Sequence, residues 1–406
     1  MGTRKAILLS AFIIFSSTLC MQVYAQDSST SLPDLVTDEP VYPASQIEAE
    51  GPNLGFSHPN TKWNVDALLW GRSLTDPLIH SSAALTYIDS RLDLDYSSWL
   101  ALDFQVAGYF AAGNAQNFYS TEGENTNGIY LEEAAANIKP FDHLVVRGGA
   151  LYISMNPILS IMSQNGFLGT DEKYEFALSD VPLTITAYAL QSVPSSGVVT
   201  KGLIDDNPDA WFLTETLEAD LKLVSLGTIL KVATTHYEFG NLSSNVASES
   251  QQIGNNVASF TGIGANTQFT VGFGGFETAA SLQTDWGKRF STELTGSVIK
   301  NNEALPIDNW GEQAALAVTT KFEKYNLIPS VTVFNMGADV TPATYTILSY
   351  RYQDRIGWTG MLKFELKKEK INFFGSYSRQ DVIISNPYLG DRDIYSLGME
   401  AKYDLL

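Results

Sequence analysis

The sequence predicts an all-β chain that crosses a membrane as an antiparallel up-and-down β-barrel of roughly 16 to 18 strands. Three observations lead to this fold class. Only 17% of the 406 residues are charged while 12% are aromatic, which suits strands with an apolar outer surface. No stretch after residue 25 reaches the ~20 consecutive apolar residues that a transmembrane helix requires. From Thr61 onward, apolar and polar residues alternate over stretches longer than the ~5 to 6 residues of an average strand.

The first 25 residues have the three parts of a secretory signal peptide. Arg4 and Lys5 precede an apolar run over residues 6–15, and Val23-Tyr24-Ala25 ends in a small residue, so cleavage is expected after Ala25. The chain has one cysteine, Cys20, which lies inside this segment. The mature chain is therefore expected to fold without disulfides in an oxidising compartment.

Residues 26–60 form a second segment with its own composition. It contains no Lys or Arg, and it is rich in proline and in acidic residues. Such a run cannot bury a core, so an extended periplasmic leader to the first strand is expected. A plug for the barrel or a peptidoglycan-binding element is the alternative.

The charge balance excludes one class of partner. Acidic residues number 45 against 25 Lys and Arg, which gives a formal charge of -20. Proteins that bind nucleic acid need clustered Lys and Arg, so no nucleic-acid partner is expected. In a barrel, the same excess predicts a weak preference for cations, or none if the acids lie mainly on external loops.

The last strand shows the period-two pattern most clearly, over residues 395–405. Tyr395, Leu397 and Tyr403 lie on one face, and the opposite face carries Ser396 and Glu400. At ~3.3 Å per residue and ~45° tilt, Tyr395 and Tyr403 are roughly 19 Å apart along the membrane normal, near the ~25 Å apolar band of an outer-membrane barrel. The two tyrosines are expected at the two interfaces.

The same alternation covers residues 100–106, 276–286, 313–322 and 356–366. Glu215 breaks it, because it shares a face with Trp211, Leu213 and Leu217. A charge that faces lipid is costly at the midplane, so Glu215 should lie towards an interface.

Connections between these strands alternate in length, as a barrel with short periplasmic turns and long external loops requires. The predicted short turns are residues 139–142, 224–225, 323–326 and 367–370. The predicted long loops are residues 111–127, 192–209, 238–257, 301–310 and 380–391. Eighteen strands result if residues 258–273 form a barrel hairpin near Ala265, and sixteen result if that hairpin belongs to a loop. Barrels of about 16 to 18 strands leave an aqueous lumen.

Residues 128–155 resemble a strand, turn and strand of Gram-negative porins and porin-like outer-membrane proteins. The resembling letters are Leu131-Glu132-Glu133-Ala134, then Lys139-Pro140-Phe141-Asp142, then the stretch from Leu144 through Arg147 to Ile153. The resemblance implies a channel in the cell outer membrane. It also implies that a loop near residues 155–172 folds into the lumen and narrows it, and porins are commonly homotrimers.

Charged residues on the inward face are the candidate functional residues, because a lumen wall selects solutes through the field of its side chains. Arg147 leads, since it borders the segment expected to form the constriction, and Asp171 or Glu172 is expected to face it across the pore. The full set of candidates for the pore lining or constriction is Asp103, Arg147, Asp171, Glu172, Glu218, Lys222, Glu293 and Lys363. For each one, a solvated wall position is the simpler alternative.

The leading hypothesis is a passive channel for small hydrophilic solutes and ions, with outer-membrane lipid and lipopolysaccharide as its surroundings. No cofactor or metal is expected, because the four histidines show no metal-ligand spacing. A sugar-selective pore would need inward aromatics, for which Trp70, Phe212, Phe374 and Trp310 are candidates. An occluded structural or surface-interaction barrel is the second hypothesis. A barrel-embedded hydrolase that uses His236 is the third.

Overall fold

A computed structural model describes residues 60–75, 80–114, 128–152, 167–178, 182–194, 210–259, 267–346, 353–384 and 390–405. The predicted signal peptide and the predicted leader, except for Asn60, lie outside these residues, and both remain predictions. The first strand begins at Asn60, one residue before the expected start of the barrel. Among the described residues, no helix is both long enough and apolar enough to cross a membrane.

The described chain is built almost entirely from strands. Its first nine are β1 (Asn60–Thr75), β2 (His80–Ser97), β3 (Leu100–Asn114), β4 (Gly128–Phe141), β5 (Leu144–Leu151), β6 (Phe167–Ala177), β7 (Leu183–Val193), β8 (Trp211–Leu223) and β9 (Thr228–Gly240). The other nine are β10 (Val257–Ser259), β11 (Thr267–Phe269), β12 (Phe273–Asp285), β13 (Phe290–Asn301), β14 (Trp310–Lys321), β15 (Tyr325–Met336), β16 (Arg355–Leu366), β17 (Ile371–Val382) and β18 (Arg392–Asp404).

Sixteen of these strands form one closed antiparallel barrel. Each pairs with its neighbour in sequence, β9 pairs with β12, and β1 pairs with β18 to close the ring. The predicted up-and-down barrel is confirmed, and it has sixteen strands, the lower of the two predicted numbers. β10 and β11 pair only with each other, so the hairpin within residues 258–273 belongs to a connection and not to the wall.

The barrel has one end with short turns and one end with long connections. Both chain termini of the barrel lie at the turn end, where β16 and β17 are joined by residues 367–370 as predicted. A 3-10 helix, Val224–Leu226, joins β8 to β9 near the predicted turn at residues 224–225. At the loop end, strands run further than expected. β9, for example, continues to Gly240, and residues of the predicted loop 238–257 form the helix α1 (Ser244–Gln252).

Helix α1 begins where its sequence supplies a cap. The Ser243 hydroxyl accepts a hydrogen bond from the Val246 amide at 3.3 Å, which satisfies one of the free N–H groups of the first turn. Val246 and Ala247 are buried. A helix of nine residues is only marginally stable alone, so the packing of Val246 and Ala247 must hold α1 in place.

The outward face of the wall is apolar. In β18, Leu397 is 73% exposed and Tyr403 is 50% exposed, whereas the alternate residues face inward, which confirms the predicted register. Tyr377 stacks obliquely near Tyr395 with ring centroids 4.9 Å apart at the loop end, and Phe322 stacks on Tyr325 at 4.5 Å at the turn end. Aromatic rings at both ends of an apolar band are typical of barrels that span lipid.

Glu215 lies on the outward face, as its alternation with Leu213 and Leu217 predicted. It is the fifth of the thirteen residues of β8, two residues from the middle of the strand on the loop-end side. Its carboxylate is 3.9 Å from the His236 ring nitrogen of β9. The charge is therefore displaced from the middle of the strand towards the loop end, and its position at an interface stays a prediction.

A β-bulge in β4 changes which side chains reach the lumen. The register between β3 and β4 shifts between Gln105 and Val106, so that Glu132 has no partner position on β3. Two consecutive acids, Glu132 and Glu133, consequently lie among inward residues instead of on opposite faces. Bulges of this kind re-aim side chains at functional positions.

Candidate functional site: the lumen and the loops that cross it

Arg147 lies at the centre of a charged cluster on the inner wall. Its Nε donates to the Asp171 carboxylate at 2.8 and 3.1 Å, its Nη2 also contacts Asp171, and its Nη1 donates to Glu133 at 3.1 Å. Asp171 is directly opposite Arg147 in the β5–β6 register, and Glu133 reaches it from β4. The Arg147 side chain is 30% exposed, and both carboxylates hold its guanidinium in position on the inner wall.

This arrangement corrects the predicted transverse pair. Asp171 is the neighbour of Arg147 on the adjacent strand, so it does not face Arg147 across the pore. Glu172 points away from the lumen, because it shares the outward face of β6 with Leu168 and Tyr174. Both residues belong to a strand and not to a loop, since β6 begins at Phe167. Period two then forces adjacent residues to opposite faces.

The remaining candidates point inward but lie apart. Asp103 of β3 accepts a hydrogen bond from Asn137 of β4, close to the Arg147 cluster. Glu218 and Lys222 lie on β8, with Glu218 two residues from Asp220 on the same face. Glu293 lies on β13 and Lys363 on β16. The structure therefore gathers Asp103, Arg147 and Asp171, and distributes the others around the wall.

Glu132 extends the Arg147 cluster towards β2. Its carboxylate accepts from the Tyr87 hydroxyl at 3.0 Å and from Gln105 Nε2 at 3.0 Å. The same Gln105 amide donates to Asp89 at 3.0 Å. Gln105 of β3 thus bridges Asp89 and Glu132, Tyr87 of β2 adds a second donor to Glu132, and this part of the wall has fixed polar geometry.

Inward ionisable residues are unevenly distributed at the paired positions of the described strands. β2 to β6, with Glu132 at the bulge, hold eight acids: Asp89, Asp93, Asp95, Asp103, Glu132, Glu133, Asp171 and Glu175. The same strands hold three bases: Arg91, Arg147 and Lys173. The other strands hold nine acids (Asp66, Glu218, Asp220, Glu277, Asp285, Glu293, Glu365, Glu400 and Asp404) and nine bases (Lys62, Arg72, Lys222, Lys231, Lys321, Arg355, Lys363, Arg392 and Lys402). The excess of negative charge lies on one side of the lumen.

Two connections at the loop end fold into the barrel. The first joins β9 to β12 and contains α1. The second joins β15 to β16 and contains a 3-10 helix, Ala343–Tyr345. Tyr345 packs among inward phenylalanines, with its ring centroid 5.1 Å from that of Phe167 and 5.6 Å from that of Phe239. The Tyr237 hydroxyl of β9 donates to the Val340 carbonyl at 2.8 Å. These contacts fix the second connection to the β6–β9 side of the wall.

The same connections also reach the opposite wall. Ile253, just after α1, and Ala343 are buried in one cluster with Trp70 and Leu74 of β1 and Leu85 of β2. In the ring of sixteen strands, β1 and β9 lie diametrically opposite each other. Residues 242–256 and 337–346 of these connections therefore reach both walls of the lumen, and we call these two segments together the crossing loops.

Buried hydrogen bonds join the crossing loops into one unit. Asn255 Nδ2 donates to the carbonyls of Ala338 and Thr341 at 2.6 and 2.9 Å, and its Oδ1 accepts from the Ala343 amide at 2.7 Å. The Ser250 and Thr344 hydroxyls are 2.9 Å apart. Each bond spans more than 80 residues of sequence, so neither connection is held in place independently of the other.

The expected constriction at residues 155–172 is corrected at its end only, and the inward fold of residues 155–166 stays a prediction. Residues 167–172 belong to the wall strand β6, and residues 155–166 lie outside the described residues. In the described part of the chain, the segments that cross the lumen are near residues 242–256 and 337–346. Asparagine, serine and threonine are common in any loop, so nothing in the sequence indicated that these two segments enter the lumen.

The aromatic candidates divide between the two faces. Trp70, Phe212 and Phe374 point inward, whereas Trp310 lies on the outward face and is 43% exposed. Phe212 stacks on Phe239 at 4.1 Å within the cluster that holds Tyr345. Trp70 meets Tyr109 edge to face at 6.3 Å on the other side. The inward aromatics therefore anchor the crossing loops.

His236 has the surroundings of a wall residue. It lies on the outward face between Glu215 and Phe276, whose ring centroid is 5.0 Å away. The Thr234 hydroxyl is paired with Thr278 at 3.3 Å, and the Thr235 hydroxyl with Thr216 at 2.8 Å. Within the described ranges, no group of three acidic, histidine or cysteine side chains has the geometry of a metal site.

No family model matches the sequence, and no curated protein matches it. Solved structures share its fold. Pseudomonas putida OprB aligns with a TM-score of 0.54 at 11% identity, covering 85% of this chain and 94% of that one. A loop-deletion mutant of OmpT, an outer membrane protein of Vibrio cholerae, gives 0.50 at 11% identity, covering 86% and 100%. Acinetobacter baumannii OccAB1 gives 0.50 at 12%, covering 85% and 97%. The chain thus has the fold of a porin-like outer-membrane barrel.

Proposed function

We propose that this protein is an outer-membrane channel through which small hydrophilic solutes and ions diffuse passively, and that the crossing loops narrow its path. The observation that carries the proposal is the ring of sixteen strands with inward charges that remain in contact with water, such as Arg147. Barrels of this size are too wide for wall side chains alone to fill. The short-turn end is then periplasmic and the crossing loops lie at the external end.

The solute preference follows from the wall charge. The acid-rich side formed by β2 to β6 makes the lumen negative, which favours cations and disfavours anions. Arg147 partly offsets this field from within the acidic cluster. Because its partner Asp171 lies on the adjacent strand, Arg147 does not set up an electric field across the pore. Its contribution to selectivity is to make the potential near the acidic cluster less negative.

Replacing Arg147 by Gln is expected to make the channel more cation-selective. The change removes one positive charge from the acidic wall and keeps side-chain donors for Glu133 and Asp171. In a bilayer with a potassium chloride gradient, the cation-to-anion permeability ratio should rise about two-fold. Arg379→Gln is the matched control, because Arg379 lies on the outward face beside Asp381. An equal shift in both variants would remove Arg147 from the selective wall.

An occluded structural barrel is the second candidate, and the crossing loops are the observation that favours it. Proteoliposomes separate the two functions. If the protein is a channel, swelling should occur in small sugars and amino acids and decline as solute size increases. The occluded barrel would be established if protein that is shown to be folded and inserted admits none of these solutes.

The hydrolase alternative has no supporting contact at His236, and the absence of an enzymatic activity stays a prediction.

The surroundings of the channel follow from its outer face. The apolar band fits outer-membrane lipid, and the acidic outward residues near the loop end fit divalent cations that bridge lipopolysaccharide.

A homotrimer remains the expectation from the porin resemblance. Chemical cross-linking in native outer membranes tests it, because a trimer should appear as one discrete band at three times the monomer mass.

A further inference from the structure

Three neighbouring turns at the short-turn end carry a concentration of positive charge. They are residues 286–289 between β12 and β13, residues 322–324 between β14 and β15, and residues 367–370 between β16 and β17. Together they hold six bases and two acids: Lys288, Arg289, Lys324, Lys367, Lys368 and Lys370 against Glu323 and Glu369. Six bases and two acids give these turns a formal charge of +4 in a chain of -20. We call them the basic turns.

This charge is confined to one side of the barrel. Residues 98–99 between β2 and β3, residues 142–143 between β4 and β5, and residues 224–227 between β8 and β9 contain neither Lys nor Arg. A solvated rim without a specific role would not require the bases to gather on one side. Among these six turns, the bases therefore mark the side formed by β12 to β17.

Hydrogen bonds join the basic turns into one surface. The Lys321 amide at the end of β14 donates to the Arg289 carbonyl at 2.7 Å. The Lys367 amide donates to the Lys324 carbonyl at 3.2 Å, and Lys367 Nζ donates to the Phe322 carbonyl at 2.7 Å. Because neighbouring strands are ~4.8 Å apart, the centres of adjacent turns are roughly 10 Å apart. The bases thus form one continuous patch.

Most of this positive charge is not neutralised by the protein. Lys370 has an acidic partner, Asp404. Across the described ranges, the other five bases form no ion pair, and all six are exposed. A cluster of exposed like charges produces a local field that attracts anions. The basic turns are therefore suited to an anionic partner from outside the barrel.

Aromatic side chains place the basic turns at the depth of lipid headgroups. Three outward rings at the ends of the connected strands are between 42% and 48% exposed: Trp286, Phe290 and Phe322. In outer-membrane barrels, girdles of such rings lie at the boundary between hydrocarbon and headgroups. Lys288, Arg289 and Lys324 are each within two residues of one of these rings. Their charged groups consequently lie level with the phosphate groups of the leaflet at this end.

We propose that the basic turns bind the phosphate groups of anionic phospholipids in the inner leaflet of the outer membrane. The choice of leaflet rests on the orientation given by the proposed function, in which the short-turn end is periplasmic. Each Lys or Arg near an anionic lipid surface adds to the attraction, so a patch of six holds such lipids against this side of the wall. The neighbouring aromatic rings favour a lipid over a soluble acidic partner, because they keep the bases at the membrane surface.

The test compares the local concentration of an anionic lipid at two matched wall positions. Protein purified from outer membranes is reconstituted in phosphatidylcholine vesicles that contain brominated phosphatidylglycerol as the minor component. Leu327→Cys and Leu221→Cys each carry a fluorescent label on the third residue from the turn end of a strand, the first beside the basic turns and the second beside residues 224–227. Bromine quenches a nearby label, and both leaflets contain it, so the direction of insertion does not matter.

Quenching at Leu327→Cys should be at least about two-fold stronger than at Leu221→Cys, and the excess should fall in about 0.5 M salt. Removing one base from each turn, by Lys288→Gln, Lys324→Gln and Lys368→Gln together, lowers the charge of the basic turns from +4 to +1 and should remove most of the excess. The matched variant with Arg at the same three positions keeps the charge and should keep the excess.

Equal quenching at the two labels in otherwise unaltered protein would overturn the lipid site and leave water or the acidic residues 26–59 against the bases. An excess that survives the triple Gln variant would overturn it as well. The readout does not require conduction. Protein that shows the excess but never conducts would therefore reject the channel and keep the lipid site.

Discussion

Single-channel conductance is expected to rise at least about two-fold when α1, Ser244–Gln252, is replaced by a Gly-Ser linker of nine residues. The reason is geometric. The replacement removes Val246 and Ala247, the buried apolar side chains that hold the first crossing loop inside the barrel. Because Asn255 links this loop to the second one, both should lose their fixed position. A wider aqueous path then carries more ions.

The matched control alters apolar loop residues that do not enter the lumen. Leu305 and Ile307 are more than half exposed in the connection between β13 and β14, and replacing both by Ser should leave the conductance unchanged. An unchanged conductance in the α1 variant, with the protein still folded, would mean that the narrowest point lies elsewhere.

Leu397→Arg is expected to destabilise the folded barrel in lipid by about 2 to 4 kcal/mol, the cost of placing a charge against hydrocarbon near the midplane. Leu397 is the sixth of the thirteen residues of β18 and lies on its outward face. Equilibrium unfolding in urea with lipid vesicles measures the free-energy difference.

Ser396→Arg is the control for this prediction, since the neighbouring position on the same strand points into the lumen. Water in the lumen can solvate the new guanidinium, so the loss should be much smaller. If the two substitutions cost the same, then the assignment of inward and outward faces is wrong.

The faces of the strands could be predicted from the sequence because period two is a local property. Inward positions such as Asp103, Glu218 and Lys363 follow from the apolar residues on either side of them, once one face is assigned to lipid. The place of the hairpin within residues 258–273 could not be predicted in this way, because strands of three residues have the same local pattern in a barrel wall and in a loop.

Errors arose where position depends on contacts distant in sequence. Asp171 and Glu172 were expected in a loop, because the porin resemblance implies an inward-folded loop near residues 155–172. The bulge at Glu132 moves the outward face of β4 from the odd positions of Ile129 and Leu131 to the even position of Ile138, and the three alanines between them hide this shift in the sequence. The crossing loops are held by pairs such as Tyr237 with Val340 and Asn255 with Ala343, and no local pattern connects these positions.

The measurement that tests the account most directly is single-channel recording of the full protein in a planar bilayer, with a potassium chloride gradient across it. Discrete, reproducible conductance steps with a reversal potential of the sign that cation preference requires are the predicted result. They would show an aqueous path along the acid-rich wall of β2 to β6. Electrical silence from protein shown to be folded and inserted would contradict the channel, and an anion-selective reversal potential would contradict the role of that wall.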